Sequence, residues 1–226
     1  MAETRLNKFL AERLGVSRRQ ADDMIAAGRV TVDAKKAALG QRVRDGEEVC
    51  VDGKAVTATA SYVYLGMNKP VGYVCSRKRQ GDSPTIFELL PEKYQKLKTV
   101  GRLDKDSSGL ILLTNDGDFA FQMTHPGFQK TKIYEVELER ALEPLHQQEI
   151  AEFGIEIGDG VSRLGLERLD ETRKRWRVTM SEGRNRQIRR TFGALGYTVI
   201  GLHRTSFGKY QLSGLETGKF VEVEKC

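Results

Sequence analysis

Asp104 is the side chain in this sequence best placed to do chemistry. It lies two residues after Arg102 and directly before Lys105 in the run Val100-Gly101-Arg102-Leu103-Asp104-Lys105-Asp106-Ser107-Ser108-Gly109-Leu110. The run reads as a charged loop between two strand-like stretches, Val100 before it and residues 110–114 after it. Asn115-Asp116-Gly117 then turns the chain. Leu103 is expected to anchor the loop in apolar surroundings, leaving Arg102 and Asp104 directed at whatever is bound. A carboxylate so placed can serve as nucleophile, general base, metal ligand or turn cap. Residue chemistry alone favours the cap, because Asp and Ser are the usual turn residues.

Two further stretches carry groups of interest. Residues 132–138, Lys-Ile-Tyr-Glu-Val-Glu-Leu, alternate with period two, so Tyr134, Val136 and Leu138 share one face of a strand. A lone tyrosine on such a face is ordinarily a core residue. Between 173 and 190 lie Arg173, Lys174, Arg175, Arg177, Arg184, Arg186, Arg189 and Arg190 against one acid, Glu182. Trp176, Val178 and Met180 alternate as a strand, Ser181-Glu182-Gly183 turns, and a helix is expected from Asn185 through Ala194. Arg186, Arg189 and Arg190 then fall three and four residues apart on one side of it. Surface solvation explains some of this density, and bidentate phosphate recognition explains it better.

The elements around these groups are legible from their spacing. Residues 62–67 read as a strand broken by Asn68-Lys69-Pro70, and residues 76–82 as a basic loop. Residues 85–90 make a short helix, and residues 118–123 a helix stopped by His125-Pro126. Residues 144–153 form a crossing helix, and residues 219–223 a last strand. Gly158-Asp159-Gly160 lacks the third glycine and the following helix of a phosphate loop and reads as a turn. His125, His146 and His203 are too scattered for a metal site.

Near the start, Thr4 is expected to cap a helix with Leu6, Phe9, Leu10 and Leu14 on one face, ended by Gly15. Ser17-Arg18-Arg19-Gln20 is a capping box opening a second helix that faces Ala21, Met24 and Ile25 inward and closes at Gly28. Strands at 30–32 and 48–51 follow, the latter ending in an Asp52-Gly53 turn. Arg5, Lys8, Arg18, Arg19 and Arg29 sit at the openings and ends of these elements. Arg18 and Arg19 lie where helix N-terminal amides can help hold phosphate. Residues 54–61 are small and polar and read as a linker.

Composition narrows the class. The 226 residues carry a net charge of +6 with 30% charged side chains, as suits a polyanionic partner. Cys50, Cys75 and Cys226 show no metal-ligand spacing and cannot all pair, pointing to a reducing compartment. No apolar run approaches the roughly 18 residues of a membrane span, and the first residues lack a signal-peptide core. The expectation is a cytoplasmic protein with no membrane association, acting as a monomer.

Gly101-Arg102-Leu103-Asp104, three variable residues, then Ser108-Gly109-Leu110 and an apolar strand running on to Leu113-Thr114-Asn115-Asp116-Gly117, resembles the catalytic loop of the pseudouridine synthases. The likeness is to the RsuA-like branch that modifies bacterial ribosomal RNA at single uridines. Asn68-Lys69-Pro70-Val71-Gly72-Tyr73-Val74, the Lys132-x-Tyr134 pair, Glu182-Gly183-Arg184-Asn185-Arg186-Gln187-Ile188-Arg189-Arg190 and Val199-Ile200-Gly201-Leu202-His203-Arg204-Thr205 extend it over nearly the whole chain. Residues 3–53 separately resemble the alpha-L RNA-binding motif first seen in a ribosomal small-subunit protein.

The resemblance implies an α+β chain. A small alpha-L RNA-binding domain at 1–53 is joined by a linker at 54–61 to a catalytic domain at 62–226, built on a mixed, mainly antiparallel β-sheet. It implies Asp104 as the catalytic aspartate, Tyr134 stacking on the target base, Arg189 paired with Asp104, and Leu202 lining the uracil pocket. Arg102, Arg184, Arg186 and Arg190, with Arg5, Lys8, Arg18, Arg19 and Arg29, would hold RNA. The reaction implied breaks the uridine N1–C1′ bond, turns the base and rejoins it through C5, needing no cofactor or metal. The partner is ribosomal RNA or a ribosomal subunit precursor. The stretches at 183–190, Gly-Arg-Asn-Arg-Gln-Ile-Arg-Arg, and at 113–117, Leu-Thr-Asn-Asp-Gly, favour 23S over 16S. A non-catalytic ribosomal RNA-binding or assembly factor is the alternative. It has no need to combine Asp104, Tyr134, Arg189 and Leu202. An RNA methyltransferase is disfavoured by the lack of a glycine-rich donor loop.

Overall fold

A computed structural model describes residues 3–57 and 61–225 of the chain. Residues 58–60 of the expected linker, and Cys226, lie outside the described residues. The chain forms two units, one built mainly from residues up to Val63 and the other from Tyr64 onward.

The first unit opens with β1 (Glu3–Arg5), followed directly by α1 (Leu6–Leu14) and α2 (Arg18–Ala26). Thr4 does not cap α1. It is a strand residue paired with Val43, and Arg5 occupies the cap position without a side-chain bond. A long-range strand pairing supplies what local capping was expected to supply. Gly15, at φ 67°, ends α1 in the left-handed conformation that glycine adopts freely. The capping box of α2 forms as expected. Ser17 Oγ accepts the Gln20 N–H at 3.1 Å, and Gln20 Oε1 accepts the Ser17 N–H at 2.9 Å.

Then come β2 (Val30–Val32), β3 (Lys35–Lys36), β4 (Arg42–Arg44), β5 (Val49–Val51) and β6 (Lys54–Ala55). The order β3-β2-β5-β6 makes a four-stranded sheet, and β1 pairs with β4. Lys54 and Ala55, expected in the linker, pair instead with Val51 and Cys50. Asp52 and Gly53 both have positive φ, the conformation that closes a tight two-residue hairpin. Leu6, Leu10, Ala21, Ile25, Val30, Val32, Val43 and Val49 form the buried core. Each fully buried aliphatic side chain there contributes about 1.5–3 kcal/mol.

In the second unit β7 (Tyr64–Lys69) leads through two 3-10 turns to β8 (Lys98–Val100), β9 (Ser108–Thr114), α3 (Gly117–Thr124) and β10 (Lys132–Leu138). The crossing helix expected at 144–153 is α4 (Pro144–Gln148) continued by a π-helical turn at Glu149–Phe153. The chain goes on through β11 (Ile155–Glu156), β12 (Val161–Ser162), β13 (Gly165–Arg168), β14 (Arg175–Met180), α5 (Gln187–Ala194), β15 (Val199–Phe207), β16 (Tyr210–Gln211) and β17 (Phe220–Glu222).

Among the described residues the main sheet has nine strands, running β13-β14-β10-β15-β9-β7-β17 with β8 and β16 at its sides. Every pairing is antiparallel except the central one, β15 with β9, where His203 and Arg204 lie opposite Ser108 and Gly109. The fold is therefore α+β with a mixed, mainly antiparallel sheet. Residues 101–107 leave the sheet beside this parallel junction. Gly109 makes it possible: its φ is 103°, and a Cβ there would lie 2.2 Å from the Arg204 carbonyl oxygen. Val100, Leu110, Leu112, Phe119, Met123, Phe207 and Tyr210 pack α3 against the sheet behind the loop. Among the described residues no helix is long and apolar enough to cross a membrane.

Candidate active site

Strand register decides which side chains meet. In β10 and β15 Tyr134 is opposite Arg204 and Val136 opposite Leu202, while Lys132 faces Met180 across β14. Residues directly opposite, and those two apart on one strand, project to the same face. Lys132, Tyr134, Leu202 and Arg204 accordingly line a cleft of about 900 Å³, and Asp104 enters it from the loop. Tyr134 and Leu202 are buried, and Asp104 keeps 34% of its side chain exposed.

The loop is fastened at several points. Leu103 is buried and its N–H reaches Cys75 Sγ at 3.4 Å. The Gly72 N–H donates to the Lys105 carbonyl at 2.7 Å, and the Ser107 N–H to the Asp104 carbonyl at 3.1 Å. Beneath the loop Lys69 is fully buried, its Nζ donating to the carbonyls of Ser107 at 2.6 Å and Pro70 at 3.0 Å. Burial pulls the Lys69 ammonium below its ordinary value, against the opposing charges of Cys75, Asp104 and Asp106.

The arginines divide differently from expectation. Arg186 Nη1 lies 3.6 Å from Asp104 Oδ2, and its two terminal nitrogens donate to the two Asp106 oxygens at 3.1 Å each. Arg189, expected on Asp104, instead sets its Nε 3.3 Å from Asp106 Oδ2 and donates to the carbonyls of Asp106 and Val199. The cause is where the helix begins. Arg186 has φ 47°, and α5 starts at Gln187 rather than Asn185, so Arg186 swings out of the helical row toward the loop. Partial burial by itself raises the Asp106 carboxyl. The Arg186 hydrogen bonds and the charges of Arg189 and Arg186 outweigh it, leaving Asp106 below its ordinary value.

Arg184 and Arg190 both grip the 158–160 turn. Arg184 donates to the carbonyls of Asp159, Gly160 and Val161, and Arg190 donates to both Asp159 carboxylate oxygens and the Ile157 carbonyl. Arg184 lines the cleft and Arg190 braces the turn from outside it, so neither guanidinium stands open for phosphate. Arg102 is exposed at the cleft. In the first unit Arg5, Arg18 and Arg19 are exposed, Lys8 lies 3.8 Å from Glu12, and Arg29 forms a double hydrogen bond to Asp52. The Gln20 amide of α2 is taken by Ser17, which removes it from any phosphate site.

Three groups to which the sequence motifs assigned no role are prominent. Asp106 is the shared anchor of Arg186 and Arg189. Arg204 is buried and donates its Nε–H to the Leu110 carbonyl at 2.7 Å, with its guanidinium over the Phe207 ring. Lys132 Nζ donates to the carbonyls of Lys130, Ser181 and Glu182. Burial, with Arg204 nearby, pulls its ammonium down to about 8. Each stands inside one of the quoted motifs, and membership of the motif is the available signal.

The cleft thus brings the Asp104 carboxylate, an opposed guanidinium and a tyrosine ring into one space of mixed apolar and basic lining, a set suited to a planar base joined to a sugar phosphate. The profile of the RNA pseudouridylate synthase family matches residues 63–194, more than half of the chain. The chain belongs to this family. The S4 domain profile matches residues 4–49. The ribosomal small subunit pseudouridine synthase A of Pasteurella multocida is 39% identical over 92% of this chain and 90% of its own length. The ribosomal large subunit pseudouridine synthase B of Bacillus subtilis is 34% identical over 97% and 91%. A crystal structure of a pseudouridylate synthase superimposes with a TM-score of 0.70 at 34% identity, covering 97% of this chain and 96% of that one. The chain is an RNA pseudouridine synthase with an N-terminal S4 RNA-binding domain.

Proposed function

We propose that this synthase isomerises a single uridine of ribosomal RNA, with Asp104 acting on the ribose. The observation that carries the reading is the meeting of Asp104 from the loop with Tyr134 and Leu202 from the sheet face in one cleft. A uridine in a duplex or stacked loop must first leave its stack. Tyr134 and Leu202 then hold the two faces of the uracil. The Asp104 carboxylate either attacks C1′, forming an ester-like C–O bond as N1–C1′ breaks, or removes the C2′ proton as N1–C1′ breaks. The base turns and C5 bonds to C1′, which expels the Asp104 oxygen on the first route and is accompanied by return of the proton to C2′ on the second. The C5 proton then departs and N1 gains one, so the product is an isomer of the substrate and Asp104 is regenerated. Arg186 neutralises the carboxylate charge in the approach of the sugar-phosphate chain.

Residues 1–53 are proposed to grip structured RNA through Arg5, Lys8, Arg18 and Arg19, and Arg102 to contact the backbone at the cleft. Residues 183–190 and 113–117 motivate a 23S target. Relatives named for the small subunit reach 39% identity and those named for the large subunit 37%, which puts 16S RNA on the same footing. Carbodiimide primer-extension mapping of both RNAs, incubated with the wild-type protein and with Asp104→Asn, reads chemistry and target together. One new stop in one RNA, absent with the variant, is the expected result. No stop in either RNA, free or in partly assembled subunits, would overturn the reading.

A further inference from the structure

We infer that Phe121, His125 and Phe128 form a stacking platform for an unpaired nucleobase beside the uridine that enters the cleft. The inference rests on the proposed RNA substrate and adds a subsite to it. Phe119 and Met123 of α3 point into the core, which leaves Phe121 on the opposite face. It is 53% exposed, and Phe128, in the 3-10 turn that follows, is 47% exposed. The His125 ring joins them. Its centroid lies 4.7 Å from that of Phe121 and 6.2 Å from that of Phe128, and the two phenyl centroids are 5.9 Å apart. His125 Nδ1 accepts the Gly127 N–H at 3.1 Å, so this ring is held in place and carries its neutral-form proton on Nε2.

Scattered single apolar residues on a surface need no explanation, but three rings in mutual contact and still half exposed do. Their location supplies it. His125, Pro126, Gln129 and Lys130 belong to the cleft wall, so the rings are its rim, and Lys130 and Arg102 put cations at the same mouth for the backbone. The patch is three rings with centroids 4.7–6.2 Å apart. A stable protein partner would need roughly 800 Å² on each side, and no other large apolar side chain between 117 and 131 is among those exposed. Aromatic faces accept any base, which suits a nucleotide pulled out of its stack next to the target.

The test measures binding of unmodified 16S and 23S transcripts by filter retention, in the Asp104→Asn background so that turnover does not intervene. Changing Phe121 and Phe128 together to Ala is expected to weaken binding by about tenfold, and changing both to Tyr to restore it. Binding by the Ala pair within about twofold of the parent, or restoration by a Leu pair as complete as by the Tyr pair, overturns the platform; the second outcome marks a protein-docking patch instead. Ultraviolet crosslinking of the unsubstituted protein covers the case in which the Ala pair fails to fold. An adduct on Phe121, His125 or Phe128 is expected, and adducts confined to other segments overturn the inference. Wild-type protein that binds transcripts yet makes no pseudouridine sinks the proposed function while the Tyr and Ala pairs still decide the platform.

Discussion

Arg186 holds Asp104 and Asp106 at once, with Nη1 3.6 Å from one carboxylate and 3.1 Å from the other. Arg189 stands behind, its guanidinium set against Asp106. The two arginines therefore have different consequences. Arg186→Met removes the guanidinium next to the proposed reacting group and should slow single-turnover tritium release from [5-³H]uridine-labelled RNA by roughly tenfold, about 1.4 kcal/mol for the loss of an ion pair at 3.6 Å, too long for a hydrogen bond. Arg189→Met should act through loop position and cost less. If Arg189→Met proves the slower of the two, the pairing seen here is not the one the reaction uses.

Asp106 anchors both arginines, and its carboxyl is held below its ordinary value once the arginines overcome the effect of burial. A carboxyl lowered in the folded state adds stability above the unfolded value, and loses it as pH falls through the folded value. Urea unfolding of wild type should weaken on acidification below about pH 4, and Asp106→Asn should flatten part of that slope. Equal slopes in the two proteins would show that the anchor contributes nothing to the folded state.

Gly109 tests the central junction of the sheet. With φ at 103° and a would-be Cβ 2.2 Å from the Arg204 carbonyl oxygen, Gly109→Ala forces backbone against backbone. The expected loss is about 3 kcal/mol or more in urea unfolding, with release of the 101–107 loop. Gly193, helical and with nothing within 4 Å of its would-be Cβ, is the control. Gly193→Ala should gain about 0.5–1 kcal/mol. A mild effect at Gly109 would mean the β9–β15 pairing can shift.

What is legible in the sequence, and what is not, divides along the range of the forces involved. Tyr134, Val136 and Leu138 show themselves as one strand face because alternation is local, and the Ser17–Gln20 box because its partners are three residues apart. Thr4 reads wrongly as a cap because its strand partner, Val43, is distant in sequence. Lys54 and Ala55 read as linker because neither favours strands, yet the Asp52-Gly53 turn folds them onto β5. One left-handed residue hides the Arg186 pairing, since a helix begun at Asn185 would keep Arg186 in the row of Arg189. Lys69 is invisible for a different reason. A lysine in an Asn-Lys-Pro break reads as exposed, and only the loop folding over it buries the charge beneath Ser107.

Lys132 offers a test at alkaline pH. Its ammonium ties the carbonyls of Ser181 and Glu182 to β10, steadying the turn that precedes Arg184 and Arg186, and burial brings it down to about 8. As pH rises through that value the cleft loses a positive charge, so RNA affinity should fall more steeply for wild type than for Lys132→Met. Stability moves the other way. A lysine lowered in the folded state is a cost below about 8 that fades as pH climbs toward 10.5, because the unfolded chain keeps its proton longer than the folded one. The stability difference between wild type and Lys132→Met should therefore shift in favour of wild type across that window. Parallel stability curves from pH 8 to 10.5, with identical affinity profiles, would show that Lys132 titrates outside it and that its three carbonyl acceptors, rather than burial, set its charge.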